Sequence, residues 1–321
     1  MVMLRIALLT LVAWAMPELA NAEPYPTKPI RVITANSAGG TSDIFVRALG
    51  EELQKRLGQP IVVENRSGGG MNIAGRACAE APNDGYNICI LPNEVLTLNE
   101  FTFKSIPYNP TKDFEPITNC FINTQVLVVS SALNVNSLAE LAALSKARPG
   151  TLSYSTPAVP LGVLLERMKK DMSIDMVRVP FRGGGEAVNA LLSGTTPVGF
   201  YGISNVRAQL EAGTVIGLMV DSETRSPLFP DFPTIAEATG KSFGVRSYFA
   251  LVAPPGTPKP ITLKLQAEVA RIMAEPDFRK RHLIERGLEP VASTPNEFAS
   301  FIKKDRVLAA EIVKESGLEP Q

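Results

Sequence analysis

Two hydrophobic periods alternate along the chain, one of about two residues and one of about 3.6, and their order predicts the architecture. Ile30 to Thr34 (IRVIT) is a β-branched run and reads as a strand. After it come the small residues Ser37-Ala38-Gly39-Gly40-Thr41-Ser42-Asp43, and then Val46, Leu49, Leu53 and Leu57 recur at helical spacing. Ser42 is the candidate N-cap of that helix and Gly58 its closing residue. Ile61-Val62-Val63 reads as a second strand, NRSGGGMNIAGRACAEA as a Gly-rich turn feeding a helix, and YNICIL as a third strand. Strands and helices in this alternation predict βαβ units with parallel pairing.

The same order restarts near Gln125. QVLVV reads as a strand, Leu138 to Lys146 as a helix and TLSYS as a strand. The small-residue loop TPAVPLG then leads into a helix through Val163 to Lys170. A strand, glycine turn and helix follow in VRVPFRGGGEAVNALLSG, and PVGFYG and VIGLMV read as further strands. Beyond Pro254-Pro255-Gly256-Thr257-Pro258 the chain is mostly helical and charged. Two α/β halves, each with a small-residue loop after a strand, predict two lobes whose loops meet in a cleft, because ligands of open α/β sheets lie beyond the strands' carboxyl ends.

The N-terminus changes the picture of where this fold works. Arg5 precedes an apolar run from Ile6 to Met16 that ends in Ala20-Asn21-Ala22, the pattern of a secretory signal peptide cut before Glu23. The run is too short to span a bilayer comfortably as an anchor. Cys78, Cys89 and Cys120 are an odd set for an exported chain. A 78–89 bridge is possible, and three buried free thiols is the plainer reading.

Charge and chemistry mostly exclude. Lys+Arg and Asp+Glu both number 32, which leaves no footprint for nucleic acid or anionic lipid. His282 is the only histidine and reads as a surface residue, not a catalytic base. No G-x-S-x-G, S-x-x-K or H-E-x-x-H occurs. Gly70 to Arg76 has P-loop glycine spacing but carries Arg76 and Ala77 in place of Lys and Ser/Thr. GGGMNI fails the dinucleotide fingerprint at Ile73, and the run from Gly183 fails it at Val188. No metal-ligand spacing exists, so no metal, cofactor or catalytic residue is expected. Glycine loops without catalytic groups favour binding over turnover.

YPTKPIRVITANSAGGTSDIFVRAL resembles the opening of the tripartite tricarboxylate transporter substrate-binding family, the Bug proteins. The resemblance continues in order through LGQPIVVENRSGGG, APNDGY, IPYNPTKDFEPI, ARPGTLSYS, VPFRGGGEAVNALLSG, FPDFPTIAEATG, APPGTPKPI and GLEPVASTPNEFASFI. It implies a two-domain periplasmic-binding-protein (Venus flytrap) fold of class α/β, each domain a mixed sheet flanked by helices. Its first domain would be 23–122 plus 247–321, with 123–246 inserted as the second. It also implies a monomeric, periplasmic, non-enzymatic receptor for a small organic acid. That acid would be a carboxylate or dicarboxylate, with aromatic and amino acids among the possibilities, passed to integral-membrane transporter subunits. The alternative is a ligand-sensing adaptor for a periplasmic sensor-kinase domain.

The opening loop then reads as an anion site: amides at a helix N-terminus attract negative charge, and Gly39 and Gly40 let the backbone approach. Ser37, Ala38 and Ser42 belong to the same loop, where Asp43 matches a family aspartate and is expected to hold the loop. The same matching adds Asn72, Ser155, Thr156, Arg182 and Gly183 as ligand-binding candidates, with Tyr248, Tyr201 and Ser204 lining the cleft. The chain departs from the family in two places. The first loop lacks both usual prolines, and the second contains Pro157 and Pro160, each without a donor amide.

Overall fold

The computed structural model describes residues 25–156, 159–181, 184–241, 246–317 and 319–320. The expected signal peptide, 1–22, lies outside the described residues. The first sheet is built from β1 (Ile30–Thr34), β2 (Ile61–Asn65), β3 (Asn87–Pro92) and β4 (Glu115–Asn123). The second takes β5 (Gln125–Ser130), β6 (Ser153–Ser155), β7 (Val177–Arg178), β8 (Val198–Gly202) and β9 (Val215–Val220). β10 (Tyr248–Ala253) and β11 (Leu288–Pro290) return to the first. The strand orders are β11-β4-β10-β3-β1-β2 and β7-β6-β8-β5-β9.

Both sheets are mixed. β1 runs parallel to β2 and β3, as the βαβ spacing predicts, whereas β10 is antiparallel to β3 and β4. In the second sheet β6 is parallel to β7 and β8, and β5 antiparallel to β8 and β9. Strand alternation sends successive side chains to opposite faces, and here both faces are apolar. Val32 joins one core with Phe45, Leu49 and Leu53, while its neighbour Ile33 joins another with Cys89 and Ala250. Leu127 and Val129 likewise oppose Val126 and Val128. Each such side chain, nearly or fully withdrawn from water, contributes roughly 1.5–3 kcal/mol of hydrophobic stabilisation.

Two local expectations are corrected. The helix after β1 spans Thr41–Leu57 with Gly40 at its N-cap, so Ser42 lies inside the first turn. The orphan Ser42 amide is satisfied from upstream, by Asn36 Oδ1 at 3.1 Å. Gly58 closes the helix in the left-handed conformation, as expected. Cys78 and Cys89 form a disulfide, in place of three free thiols, and Cys120 alone is free and buried. The helix Asn72–Ala79 lies against β3, and this brings the two sulfurs together.

The sheets are joined by the chain between β4 and β5 and by the stretch between β9 and β10. Asn123 N–H donates to Ser247 O at 2.7 Å, and Gln125 N–H donates to Asp221 Oδ1 at 2.7 Å, which ties the two connections side by side. Away from them, Val163 of the helix Val159–Met172 packs with Leu98, Ala309, Ile312 and Val313 in a small apolar cluster. Pro160 falls in the first turn of its helix, where the missing amide costs little.

Candidate functional site

A cleft of about 720 Å³ opens where the two sheets meet. From the first sheet it is lined by the turn after β1, the Gly68–Met71 turn, Glu94, Asn123, Ser247, Phe249 and Arg286; Gln125, Leu161, Gly202, Ser204 and Asn205 come from the other side.

The loop after β1 is locked from within. Asn36 Oδ1 accepts from both the Ser42 amide and Ser42 Oγ, the latter at 2.7 Å, and Ser42 Oγ also bonds Thr34 Oγ1 at 2.6 Å. Asp43 is buried; its Oδ2 accepts the Gly39 amide at 2.9 Å, and its Oδ1 accepts from Arg47 Nε and Asn65 Nδ2. Burial works to raise the Asp43 pKa, but Arg47, the Gly39 amide and Asn65 outweigh it and hold the carboxyl below its ordinary value. Asp43 is thus an ionised clamp on the loop, matching its expected holding role.

The amide expectation is corrected in its particulars. Gly39 gives its N–H to Asp43, and Gly40 gives its N–H to Ser37 O at 2.9 Å. Within the described residues, the amides of Ser37, Ala38 and Thr41 make no such bond, and all three residues line the cleft. The glycines matter for shape instead. Gly39 holds φ at +82°, and a Cβ on Gly40 would stand 2.7 Å from Asn36 Cβ.

The other expected residues divide. Ser37, Ala38, Gly39, Gly40 and Ser204 line the cleft. Asn72 lies beneath it: its Oδ1 accepts from Tyr108 Oη at 2.6 Å and from Asn99 Nδ2, which also donates to Gly70 O. Asn72 therefore braces the Gly-rich turn. Ser155 and Thr156 are buried, and Ser155 Oγ bonds the Tyr201 hydroxyl. Tyr201 is fully buried, its hydroxyl donating to Ala187 O at 3.0 Å, so it holds the second core together. Tyr248 is also fully buried, edge-on to Phe301, with its hydroxyl on Asp305 Oδ2 at 3.2 Å. Strand alternation explains the miss: Phe249, one residue on, faces the cleft. Arg182 and Gly183 lie outside the described residues. His282 is partly buried against Phe278 and does not line the cleft.

Two charged cleft residues escaped the sequence. Glu94 follows β3 at the start of a short π-helical segment, Glu94–Leu98, and is 6% exposed with Oε2 unpartnered. Burial, with help from Asp305, pushes its carboxyl up to about 7, against a hydrogen bond to its own backbone amide. A readable signal existed, since Glu94 interrupts the apolar run after a strand, where ligands of α/β sheets gather. Arg286 precedes β11; its Nε is buried without a partner, and no carboxylate pairs with it among the described residues. Nothing in IERGLEP sets it apart from its charged neighbours. No group of His, Cys, Asp and Glu among the described residues is arranged to hold a metal.

The sequence model of the tripartite tricarboxylate transporter family receptor matches residues 45–318. The chain belongs to that family. It is 31% identical to BugT of Bordetella pertussis over 302 residues, covering 92% of each chain. A solved Rhodopseudomonas palustris protein with adipate superposes with a TM-score of 0.85 at 28% identity, over 92% of this chain and all of that one. The periplasmic binding protein BugD superposes at 0.81, also at 28% identity and with the same coverage. The receptor has the two-domain periplasmic-binding-protein fold, in a family of periplasmic solute receptors and not of enzymes. Among its described residues no helix is long and apolar enough to cross a membrane.

Proposed function

We propose that this receptor captures a small organic acid between a first domain of 23–122 plus 247–321 and a second of 123–246. It then hands the acid to the integral-membrane subunits of a tripartite tricarboxylate-type transporter. The cleft itself carries the reading. It joins unbonded amides at a helix N-terminus to a half-buried arginine without an ion-pair partner, and both attract a carboxylate. The adipate held by the R. palustris relative is an acid of this class. Binding needs no turnover, and the monomer suffices because both walls of the cleft come from one chain. Export follows from cleavage before Glu23, and mass spectrometry of periplasmic material should find that N-terminus; an intact Met1 on mature protein contradicts it.

A thermal-shift screen of organic acids on the mature protein tests the reading. A ligand at 100 times its Kd adds about 2.7 kcal/mol of stability. A shift confined to carboxylic acids, with the bound acid recovered unchanged, supports the receptor; no shift with any acid, or chemical conversion of one, rejects it.

A further inference from the structure

A second cavity, of about 180 Å³, lies at the crossings between the two sheets. Part of its lining comes from residues within 222–227, which leave β9 for the first sheet. Part comes from residues within 279–290, around β11, and Thr124 on the crossing from β4 to β5 completes it. Leu288 lines this cavity and the cleft alike. Its neighbours divide between them: Arg286 lines the cleft, whereas Gly287 and Glu289 line the second cavity. The start of β11 is thus a partition shared by two cavities. It is tied to the crossing, since Thr124 N–H donates to Gly287 O at 3.2 Å and Leu288 pairs with Asn123, itself a cleft residue.

The chemistry of the second lining suits a small anion with an apolar body. Pro227, Ile284, Leu288 and Pro290 supply apolar surface. Two of the charges there are already compensated: Arg225 Nε donates to Glu237 Oε2 at 2.9 Å, and Glu289 Oε2 accepts from Arg246 Nη2 at 2.6 Å. Arg279 is exposed, and its guanidinium has no partner among the described residues. Thr124 is buried, yet its hydroxyl makes no hydrogen bond among them. One uncompensated cation and one free hydroxyl beside apolar walls match a monocarboxylate, whereas a dianion would meet Glu289 as well. The volume lies below the roughly 300–1,000 Å³ of ordinary ligand pockets, so only a short chain fits. We propose that this cavity is an effector site for a short-chain monocarboxylate, separate from the cleft and coupled to it. A ligand held between 222–227 on one side and 279–290 on the other fits one angle between the sheets better than any other. Its binding therefore biases the hinge, and the shared wall at Leu288 carries the bias to the cleft. The site stands on its own lining; the coupling rests on the carboxylate-receptor reading.

Calorimetry with butyrate as the probe tests both parts. Butyrate is titrated into wild type, into Gly40→Val, which disturbs only the cleft, and into Arg279→Gln. Wild type and Gly40→Val should share a butyrate site that Arg279→Gln weakens about tenfold or more, the worth of one charge-assisted bond. Arg279→Lys should restore part of it, because the charge returns without the fork. The acid giving the largest thermal shift is then titrated with and without saturating butyrate. Coupling should change its Kd about fivefold or more, by a factor that levels off as butyrate rises. Arg279→Gln should abolish that change while binding the acid like wild type when butyrate is absent. Equal butyrate binding by wild type and Arg279→Gln overturns the site. An unchanged Kd, or a shift that never levels off and survives Arg279→Gln, overturns the coupling, the latter being competition within the cleft. If no acid binds the cleft while Arg279→Gln still loses butyrate, the receptor reading falls with the effector role and the second site stands.

Discussion

The carboxylate of Asp43 accepts the amide of Gly39 at 2.9 Å, so a side chain inside the first helix holds the loop that precedes it. The same carboxylate receives Arg47 and Asn65, which makes it the fixed point between the helix and the end of β2. Replacing it leaves the Gly39 amide and the Arg47 guanidinium without this acceptor, and leaves Asn65 Nδ2 with Asn36 O alone. Asp43→Ala should destabilise the protein by about 1–3 kcal/mol and weaken acid binding, because the cleft-lining loop loses its anchor. Urea unfolding and calorimetry on one preparation check both effects; unchanged binding alongside lost stability would remove the loop from the ligand's surroundings.

Gly39 and Gly40 should fail in different ways. A Cβ on Gly39 meets nothing within 4 Å, so Gly39→Ala costs only the left-handed backbone, about 1 kcal/mol. A Cβ on Gly40 collides with Asn36, the residue that satisfies the Ser42 amide and hydroxyl. Gly40→Ala should therefore disturb the loop's shape and lower ligand affinity more than Gly39→Ala. Parallel denaturation and binding curves for the two variants decide it.

Much of this fold is legible in the sequence, for definable reasons. β1 and β9 fall at Ile30–Thr34 and Val215–Val220 because β-branched runs bounded by turn residues have few alternatives. β4 does not announce itself: Pro116, Thr118 and Asn119 break the apolar pattern, and the burial of Thr118 and Asn119 depends on β10 and β11 arriving from far along the chain. The position of the loop at Ser37 to Gly40 was readable, but the fate of its amides was not. Asp43 and Ser37 consume two of them through contacts that only the folded turn creates. Tyr248 was placed on the wrong face by a single residue. Arg286 enters the cleft through the packing of β11 on β4, which no local pattern reports.

Asp221 predicts a pH dependence at the junction of the sheets. Burial pushes its carboxyl up to about 7; the Gln125 amide and Arg246 oppose this, and Glu289 adds to it. A folded pKa above the unfolded value means that the native state holds a proton the unfolded chain has already released. The contribution to stability is fully present below about 4, declines as pH rises, and is lost above about 7. Glu94 acts with the same sign. The melting temperature should fall between pH 5 and pH 8, and fall less in Asp221→Asn, as read by differential scanning calorimetry. Parallel profiles for the two proteins would contradict this.

The Cys78–Cys89 bridge closes a short loop between the helix Asn72–Ala79 and β3, with a sequence separation of 11. Its removal by a paired Cys→Ala substitution should cost about 2–3 kcal/mol, through the freedom returned to the unfolded chain. Urea unfolding of the pair against wild type checks the magnitude. Cys120 should resist alkylation in the native state, since it is buried and its thiol is pushed up to about 12.

The central claim is that the loop after β1 shapes an acid-binding cleft, and titration of one acid into two proteins tests it most directly. The acid giving the largest thermal shift is titrated into wild type and into Gly40→Val, with circular dichroism confirming that both are folded. The account predicts one site per wild-type chain, at least tenfold weaker binding by the variant as the bulky side chain drives Asn36 from its place, and recovery of the acid unchanged. Equal binding by both folded proteins would contradict it.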